Sequence, residues 1–398
     1  MTGWRWPDYR GLYAYPWDVW FDGADQVLGD VRAIGANTLT LASSYHAGRF
    51  TRPHGSGPRI YEVTDGTVYF RPDLSAYGTI KPIAHPQLDE SDPFAELTRQ
   101  SDTPVVAWTV CLHNTALGER HPEFVVRNCF GDPYSHSLDP AFPEVREYVR
   151  TLVTDIAQTG VVGVLLETPG YLPYVHGRHH EFALLPQNPW MERLLALSFS
   201  DGAIAGAEAA GIPAVRLRDQ AHAWLEGWFA SDTAPSPAVA IDWFLGDVIA
   251  DPAWVAFLNW RCRIVTDLVA EVRDAMPKDV WLGVIPTVQR PTAASWVEGS
   301  DLHGLARVCD VIEVPAYQAT AEEVDADLAD VRRRMGPDAR LHAILRPDYP
   351  DLRSEGAVRA AATAARAHGA AGLSFYNYGH LRRAALARAR AGFEAFGA

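Results

Sequence analysis

Two glutamates close short apolar runs of this 398-residue chain. Glu167 ends the run of residues 161–166, and Glu313 lies near the end of residues 310–315. A continuously apolar run of this length is typical of a strand buried in a parallel sheet. A carboxylate at the carboxyl end of such a strand leaves the core where α/β folds carry out their chemistry. Two such carboxylates are suited to glycoside cleavage, since one can protonate the leaving oxygen while the other attacks the anomeric carbon or activates water.

Asp348 is a third candidate carboxylate, two residues beyond the end of another apolar run. A structural role is open for each of the three. A glutamate near a strand end can pair with a neighbouring arginine, and Arg346 is available for this. Asp348 can equally cap a turn.

Aromatic and polar side chains follow several other apolar runs. Aromatic rings stack on the apolar face of a sugar, while fixed polar groups bind its hydroxyls. Each ring can instead serve packing alone. The residues predicted to line a sugar-binding cleft are Trp17, Tyr45, His46, Trp108, His113, Asn114, Tyr317, Arg346 and Asn377.

The elements that must position these residues alternate along the chain. Strands are predicted at residues 10–15, 37–42, 104–111, 161–167, 280–285, 310–314, 340–345 and 371–376. Helical periodicity fills the intervals, most clearly over residues 143–158. Eight such units predict an α/β fold, a (β/α)8 TIM barrel forming one catalytic domain over residues 1–398. Glu167 then lies on the fourth strand and Glu313 on the sixth.

Two connections are much longer than the rest and are predicted to be insertions after strands two and four. The first covers residues 46–95, and the second, mainly helical by periodicity, covers residues 170–278. Within the first, residues 59–63 and 67–70 flank an Asp-Gly pair, which predicts a β-hairpin. Insertions at this end of a barrel usually shape the substrate cleft.

Composition narrows the classes of partner. The formal net charge is −14 with no basic stripe, which argues against nucleic acid and fits a neutral or weakly charged ligand such as an oligosaccharide or glycoside. No apolar run approaches the ~20 residues that span a bilayer, and no signal peptide is evident, so no membrane partner is predicted. The four cysteines form no CxxC pair and indicate free thiols. The sequence therefore predicts a cytoplasmic protein, with Trp224 and Trp228 as exposed aromatics suited to a homo-oligomer interface.

A histidine-rich segment, residues 176–181, raises a metal hypothesis. Its spacing differs from that of a zinc-binding helix, and Pro173 and Gly177 indicate a loop. A substrate-binding or simply exposed loop is favoured, and neither a metal site nor a cofactor is predicted. Gly-rich phosphate loops and the GxSxG motif are absent from the sequence.

Several segments carry a family resemblance. They are His-Pro-Glu-Phe at residues 121–124, Ser-Leu-Asp-Pro at residues 137–140, and residues 45–50 with 68–72. Over residues 10–230 the chain resembles an uncharacterised glycosyl-hydrolase-like group of the TIM-barrel glycosidase superfamily. The resemblance implies a barrel and carbohydrate chemistry. Related sequences often carry Asp at the end of strand four, where this chain has Glu167.

Carboxylates on strands four and six are similar to the layout of the α-galactosidase clan. That likeness implies Glu167 as nucleophile and Glu313 as acid/base. The large β-glycosidase clan instead uses strands four and seven, and no glutamate ends strand seven here. The leading hypothesis is a glycoside hydrolase or transglycosidase. The alternatives are a non-catalytic carbohydrate-binding barrel and a metal-dependent sugar isomerase or lyase.

Overall fold

Eight parallel strands form a closed barrel in the computed structural model, which describes residues 9–100, 102–176 and 183–397. The strands are β1 (Tyr9–Ala14), β2 (Thr38–Tyr45), β3 (Val105–Val110), β4 (Gly163–Glu167), β5 (Trp281–Ile285), β6 (Val311–Pro315), β7 (Leu341–Leu345) and β8 (Ala370–Phe375). The barrel closes because β1 pairs in parallel with both β2 and β8. The predicted (β/α)8 fold is confirmed. Residues inside each strand are almost all buried, which explains why continuous apolar runs located them.

Helices surround the barrel. The α-helices are Pro16–Asp22, Ala24–Ala33, Pro93–Gln100, Thr115–Arg120, Pro143–Ala157, Pro189–Leu195, Asp201–Ala209, Ala214–Phe229, Pro237–Ala250, Pro252–Ala275, Leu302–Leu305, Ala321–Met335, Glu355–Ala367 and Arg383–Gly397. The helix Pro143–Ala157 shows why they form. A proline occupies its first turn, and a stripe that includes Val145, Val149 and Leu152 is buried against the barrel.

The connection from β2 to β3 contains antiparallel pairs, but not the predicted one. The hairpin is formed by Gly48–Thr51 and Ile60–Val63, while Thr67–Val68 pairs antiparallel with the end of β2. The predicted pairing of residues 59–63 with 67–70 is therefore wrong. The Asp-Gly turn exists, but Asp65 accepts hydrogen bonds from the backbone N–H groups of Ala47 and Ala116, both at 2.8 Å, and these contacts carry the chain away from the hairpin.

The connection from β4 to β5 has a hydrophobic core of its own, built from the helices between residues 189 and 275. Trp228 is buried in it, and the Trp224 ring stacks on Trp254 with centroids 5.6 Å apart. The expectation of exposure is wrong for Trp228, whereas Trp224 is half-buried, and both pack within the insertion itself. Among the described helices, none has both the length and the apolar character needed to cross a membrane.

Candidate functional site

A cavity of about 420 Å³ opens among the carboxyl ends of the barrel strands. Aromatic rings, aliphatic side chains and three charged side chains form its wall. The lining residues are Tyr13, Tyr45, His46, Trp108, Glu167, His176, Ile285, Val288, Arg290, Pro315, Tyr317, Ile344, Arg346 and Tyr376. Of the residues that the structure describes, Glu167 is the one carboxylate in this lining.

Glu167 is the last residue of β4, flanked in register by Val110 of β3 and Ile285 of β5. The indole N–H of Trp108 donates a hydrogen bond to its Oε2. Burial raises the pKa of Glu167 to about 7, although the Trp108 bond and the charge of Arg290 both act to lower it. A carboxyl group with this pKa is protonated in a large fraction of molecules at neutral pH and can donate a proton.

The backbone after Glu167 turns sharply out of the strand. Thr168 has φ 48°, a conformation that β-branched residues rarely adopt. Two residues on, a Cβ at Gly170 would lie 2.1 Å from the carbonyl oxygen of Glu298, so only glycine fits there. Backbone strain of this kind clusters at functional sites, because the surrounding structure must hold it in place.

Glu298 is a second buried carboxyl group beside this turn. Its Oε1 accepts hydrogen bonds from the Thr287 hydroxyl at 2.6 Å and the Val288 backbone N–H at 2.9 Å. Burial, with a smaller contribution from the charge of Glu167, raises the pKa of Glu298 to about 8. Since Val288 lines the cavity and Glu298 does not, this carboxyl group lies behind the wall.

The aromatic wall is held together by phenol hydroxyls. The hydroxyl oxygens of Tyr15 and Tyr376 are 2.6 Å apart, and Tyr15 also donates to the Tyr45 hydroxyl at 3.1 Å. The ring of Trp108 meets Tyr45 edge to face, with centroids 5.2 Å apart. Such a network fixes ring orientation, which a stacking platform for a sugar requires.

Three histidines stand at one side of the cavity. The rings of His46 and His113 are stacked, with centroids 4.0 Å apart and planes 16° from parallel, and the ring of His176 lies 5.3 Å from that of His113. Within residues 9–100, 102–176 and 183–397, no group of three or more His, Cys, Asp or Glu side chains is arranged to hold a metal ion. The remaining polar residues of the histidine-rich segment, Arg178, His179, His180 and Glu181, lie outside the described residues.

The structure brings six of the residues predicted from sequence into one cavity: Glu167, Tyr45, His46, Trp108, Tyr317 and Arg346. It leaves others apart from it. Trp17 is fully buried under the ring of Tyr15, and His113 lies behind His46. Asn114 and Asn377 cap short helices, accepting hydrogen bonds from the backbone N–H groups of Leu117 and Gly379.

Glu313 is enclosed in the barrel interior and does not line the cavity. It is the third residue of β6, with no exposed surface, and its Oε1 accepts from the Ser374 hydroxyl at 2.5 Å and the Tyr9 hydroxyl at 3.3 Å. His342 Nδ1 is 3.9 Å from its other oxygen. The sequence predicts Glu313 at the site because it lies near the end of an apolar run. In the structure it lies two residues before the strand ends, and its side chain points inward. The geometry therefore gives no support to a Glu167–Glu313 pair.

Asp348 also lies away from this cavity, in an ion-pair cluster. Its two oxygens accept hydrogen bonds from Arg382 Nε at 2.8 Å and Nη2 at 2.5 Å, and Arg388 is 3.0 Å away. Hydrogen bonds from Arg382 hold the pKa of Asp348 below its usual value. A carboxylate held in this way is suited to fixing a loop.

Sequence reasoning missed Tyr13 and Arg290, and it considered His176 only as part of a histidine-rich loop that could bind substrate, a metal or nothing. Tyr13 lies inside β1 and faces the barrel interior, so a search of strand ends passes over it. Arg290 follows β5 by five residues, and the polar stretch after residue 285 was a usable signal. The buried Tyr13 hydroxyl has no hydrogen-bond partner among the residues the structure describes. An orphaned hydroxyl in a cavity wall suits a polar ligand.

No protein-family model and no protein of curated function matches the sequence. Solved structures do match. The chain is similar to the PgaB (BpsB) glycoside hydrolase domain from Bordetella bronchiseptica, with TM-score 0.59 and 15% identity over 92% of this chain and 93% of that one. It is also similar to the β-amylase catalytic domain from Paenibacillus polymyxa, with TM-score 0.58 and 11% identity over 98% of both chains. At such identities the likeness shows a shared barrel fold.

Proposed function

We propose that this protein is a glycoside hydrolase in which Glu167 protonates the leaving glycosidic oxygen. The observation that carries the proposal is a carboxyl group of pKa about 7 inside an aromatic-walled cavity at the carboxyl end of the barrel. Glycosidases need such a group, since a carboxyl that stays protonated at neutral pH can act as general acid. Glu167 is therefore assigned the acid role and not the nucleophile role that the clan layout implies.

Glu313 takes no part in the proposed reaction, because its side chain lies in the barrel interior. Glu298 is proposed as a positioning residue. Its carbonyl oxygen accepts the backbone N–H of Tyr171 at 3.0 Å, which holds the turn that follows Glu167.

A non-catalytic carbohydrate-binding barrel is the second candidate. It is favoured by the single carboxylate in the cavity lining among the described residues, because hydrolysis usually employs two. The two candidates differ in turnover and share ligand binding.

The test is an activity assay on a panel of neutral and acidic 4-nitrophenyl α- and β-glycosides, in which the release of nitrophenol is measured. A glycosidase releases nitrophenol from at least one anomer of one sugar. Binding of a glycoside without release, by wild-type protein, would support the binding barrel and contradict the proposed hydrolysis.

The Trp108 indole offers a specific prediction about pH. Its hydrogen bond lowers the pKa of Glu167, so Trp108→Phe should raise that pKa above about 7. Because the protonated acid is the active form, the alkaline limb of the kcat/KM profile should move to higher pH, with maximal kcat reduced about 10-fold by poorer positioning. Trp20→Phe is the matched control, since Trp20 donates to the carbonyl of Ser91 away from the cavity. An alkaline limb that does not move in Trp108→Phe would contradict the assigned contact.

A further inference from the structure

Two arginines flank one ring in the cavity. The guanidinium carbon of Arg346 lies 4.2 Å from the centroid of the Tyr317 ring, and that of Arg290 lies 4.8 Å from it. Arg290 comes from the loop after β5 and Arg346 directly follows β7, so the fold brings together two cations distant in sequence. Burial, with a smaller contribution from the charge of Arg346, lowers the pKa of Arg290. Like charges near one another repel, and the charge of Asp351, which acts on both guanidiniums, opposes this repulsion.

Arg290 has no carboxylate partner among the described residues. Its Nη1 donates only to the backbone carbonyls of Val288 at 3.0 Å and Gln289 at 2.8 Å. Its Nε is buried and makes no hydrogen bond within the described part of the chain. Asp327 and Asp351 act on this charge without forming an ion pair with it, and Glu167 balances it incompletely, since its pKa of about 7 leaves it protonated in many molecules. A buried cation that is neither paired nor fully hydrogen-bonded is costly and suits a ligand anion.

Arg346 is only partly committed. Its Nε binds Asp351 Oδ2 at 2.5 Å, which orients the guanidinium and leaves the Nη groups outside that ion pair. A guanidinium fixed through Nε can still present its two terminal nitrogens to a planar carboxylate. Asp351 thus acts as an orienting group for Arg346.

The positive character continues beyond this cavity. A neighbouring cavity of about 720 Å³ shares Arg346 and Tyr376 with it and is also lined by Arg353 and Arg382. Its one lining carboxylate among the described residues, Asp348, is held by Arg382. Arginines therefore outnumber carboxylates in the linings of these two cavities, although the whole chain carries a formal charge of −14.

We propose that the cavity takes a sugar bearing an anionic group, a carboxylate as in a uronic acid, bound between Arg290 and Arg346 beside the Tyr317 ring. This rests on the proposed glycosidase function and narrows its substrate class. An anionic substituent would satisfy the open donors of Arg290 and offset the repulsion between the two guanidiniums. Its charge would also help to keep Glu167 protonated for proton donation.

The test measures binding without turnover. Isothermal titration of Glu167→Gln protein uses matched pairs of 4-nitrophenyl glucuronide and glucoside, galacturonide and galactoside, in both anomers, with hexoside 6-phosphates as a second anionic arm. We expect an acidic member to bind at least about 10-fold more tightly than its neutral partner, with affinity that weakens as salt rises. Preference for a 6-phosphate would support the anionic-sugar site with phosphate as its group.

Variants of Arg290 show whether the preference for acidic sugars depends on this side chain. Adding Arg290→Gln should weaken acidic-sugar binding about 10- to 100-fold and neutral-sugar binding much less, whereas Arg290→Lys should lose less because it keeps the charge. Arg359→Gln is the control for net charge. Arg359 forms ion pairs with Glu355 of its own helix and with Glu394 of the C-terminal helix, outside the barrel. Circular dichroism and thermal melts identify a variant that misfolds, and the salt dependence of the Glu167→Gln protein then stands as the independent measurement.

Failure of this proposal is distinguishable from failure of the proposed function. Neutral sugars binding as tightly as acidic ones, equal weakening of both by Arg290→Gln, or no binding to any acidic sugar would overturn the anion site even if wild-type protein cleaves a neutral glycoside. Arginine-dependent binding of a uronide that wild-type protein never cleaves would support the anion site and contradict hydrolysis.

Discussion

Glu167→Gln should lower kcat about 10³-fold on a glycoside with a poor leaving group that the wild-type protein cleaves. The amide keeps the shape of the side chain and an oxygen to accept the Trp108 hydrogen bond, but it has no proton to give to the leaving oxygen. Substrate affinity should change little. Substrates with good leaving groups such as dinitrophenol should be affected least, because they need little protonation. Steady-state kinetics on two aryl leaving groups measures this difference.

Glu313→Gln is the matched control. The glutamine retains an oxygen to accept from Ser374 and Tyr9, so the fold should persist, and kcat should stay within about threefold of wild type because the side chain lies in the barrel interior. Loss of turnover in this variant with an intact circular dichroism spectrum would restore the pair on strands four and six. Full activity in Glu167→Gln would remove Glu167 from the chemistry.

Arg52→Met should destabilise the protein by about 3–5 kcal/mol. Arg52 is 1% exposed, and its guanidinium lies 3.2 Å from Asp18 Oδ1 and 3.4 Å from Asp22 Oδ2. These ion pairs join the hairpin of the β2–β3 connection to the helix Pro16–Asp22. Removing it leaves two buried carboxylates without their cation. The urea midpoint of unfolding should fall accordingly, and the cavity wall formed by Tyr45 should loosen with the hairpin.

The effect of Arg52→Met should depend on pH with a defined sign. Burial raises the pKa of Asp18 to about 6 even though Arg52 lowers it, so losing Arg52 raises that pKa further. A folded-state pKa above the unfolded value means that stability falls as pH rises through it, hence the variant should lose more at pH 8 than at pH 5.

Arg49→Met provides the comparison within the same hairpin. Its ion pair with Glu62 is 2.9 Å long but both side chains are about 70% exposed, so the loss should stay below about 1 kcal/mol at either pH. Equal destabilisation by the two substitutions would contradict the buried network as the source of the effect.

The barrel, and the position of Glu167 at the end of its fourth strand, could be predicted from the amino-acid order. Strands enclosed on both faces must be apolar throughout, so each of the eight runs marked a strand, and Glu167 stood out because it ends one. The same criterion, a position near or beyond the end of an apolar run, predicts Trp108, Tyr317 and Arg346. Helix periodicity predicted Pro143–Ala157 to within one residue, since one apolar stripe must face the barrel.

Which carboxylates and cations share the cavity depends on how the chain folds in three dimensions. Side chains alternate in direction along a strand, and β6 directs that of Glu313 inward. The sequence does not locate the end of the strand accurately enough to show this direction for a residue two positions before it. Net charge predicted a neutral or weakly charged ligand, whereas the loops bring Arg290 and Arg346 to one ring. Electrostatic interactions act over a few ångströms between residues distant in the chain. Charge summed along a sequence therefore cannot show the field that a cleft presents to its ligand.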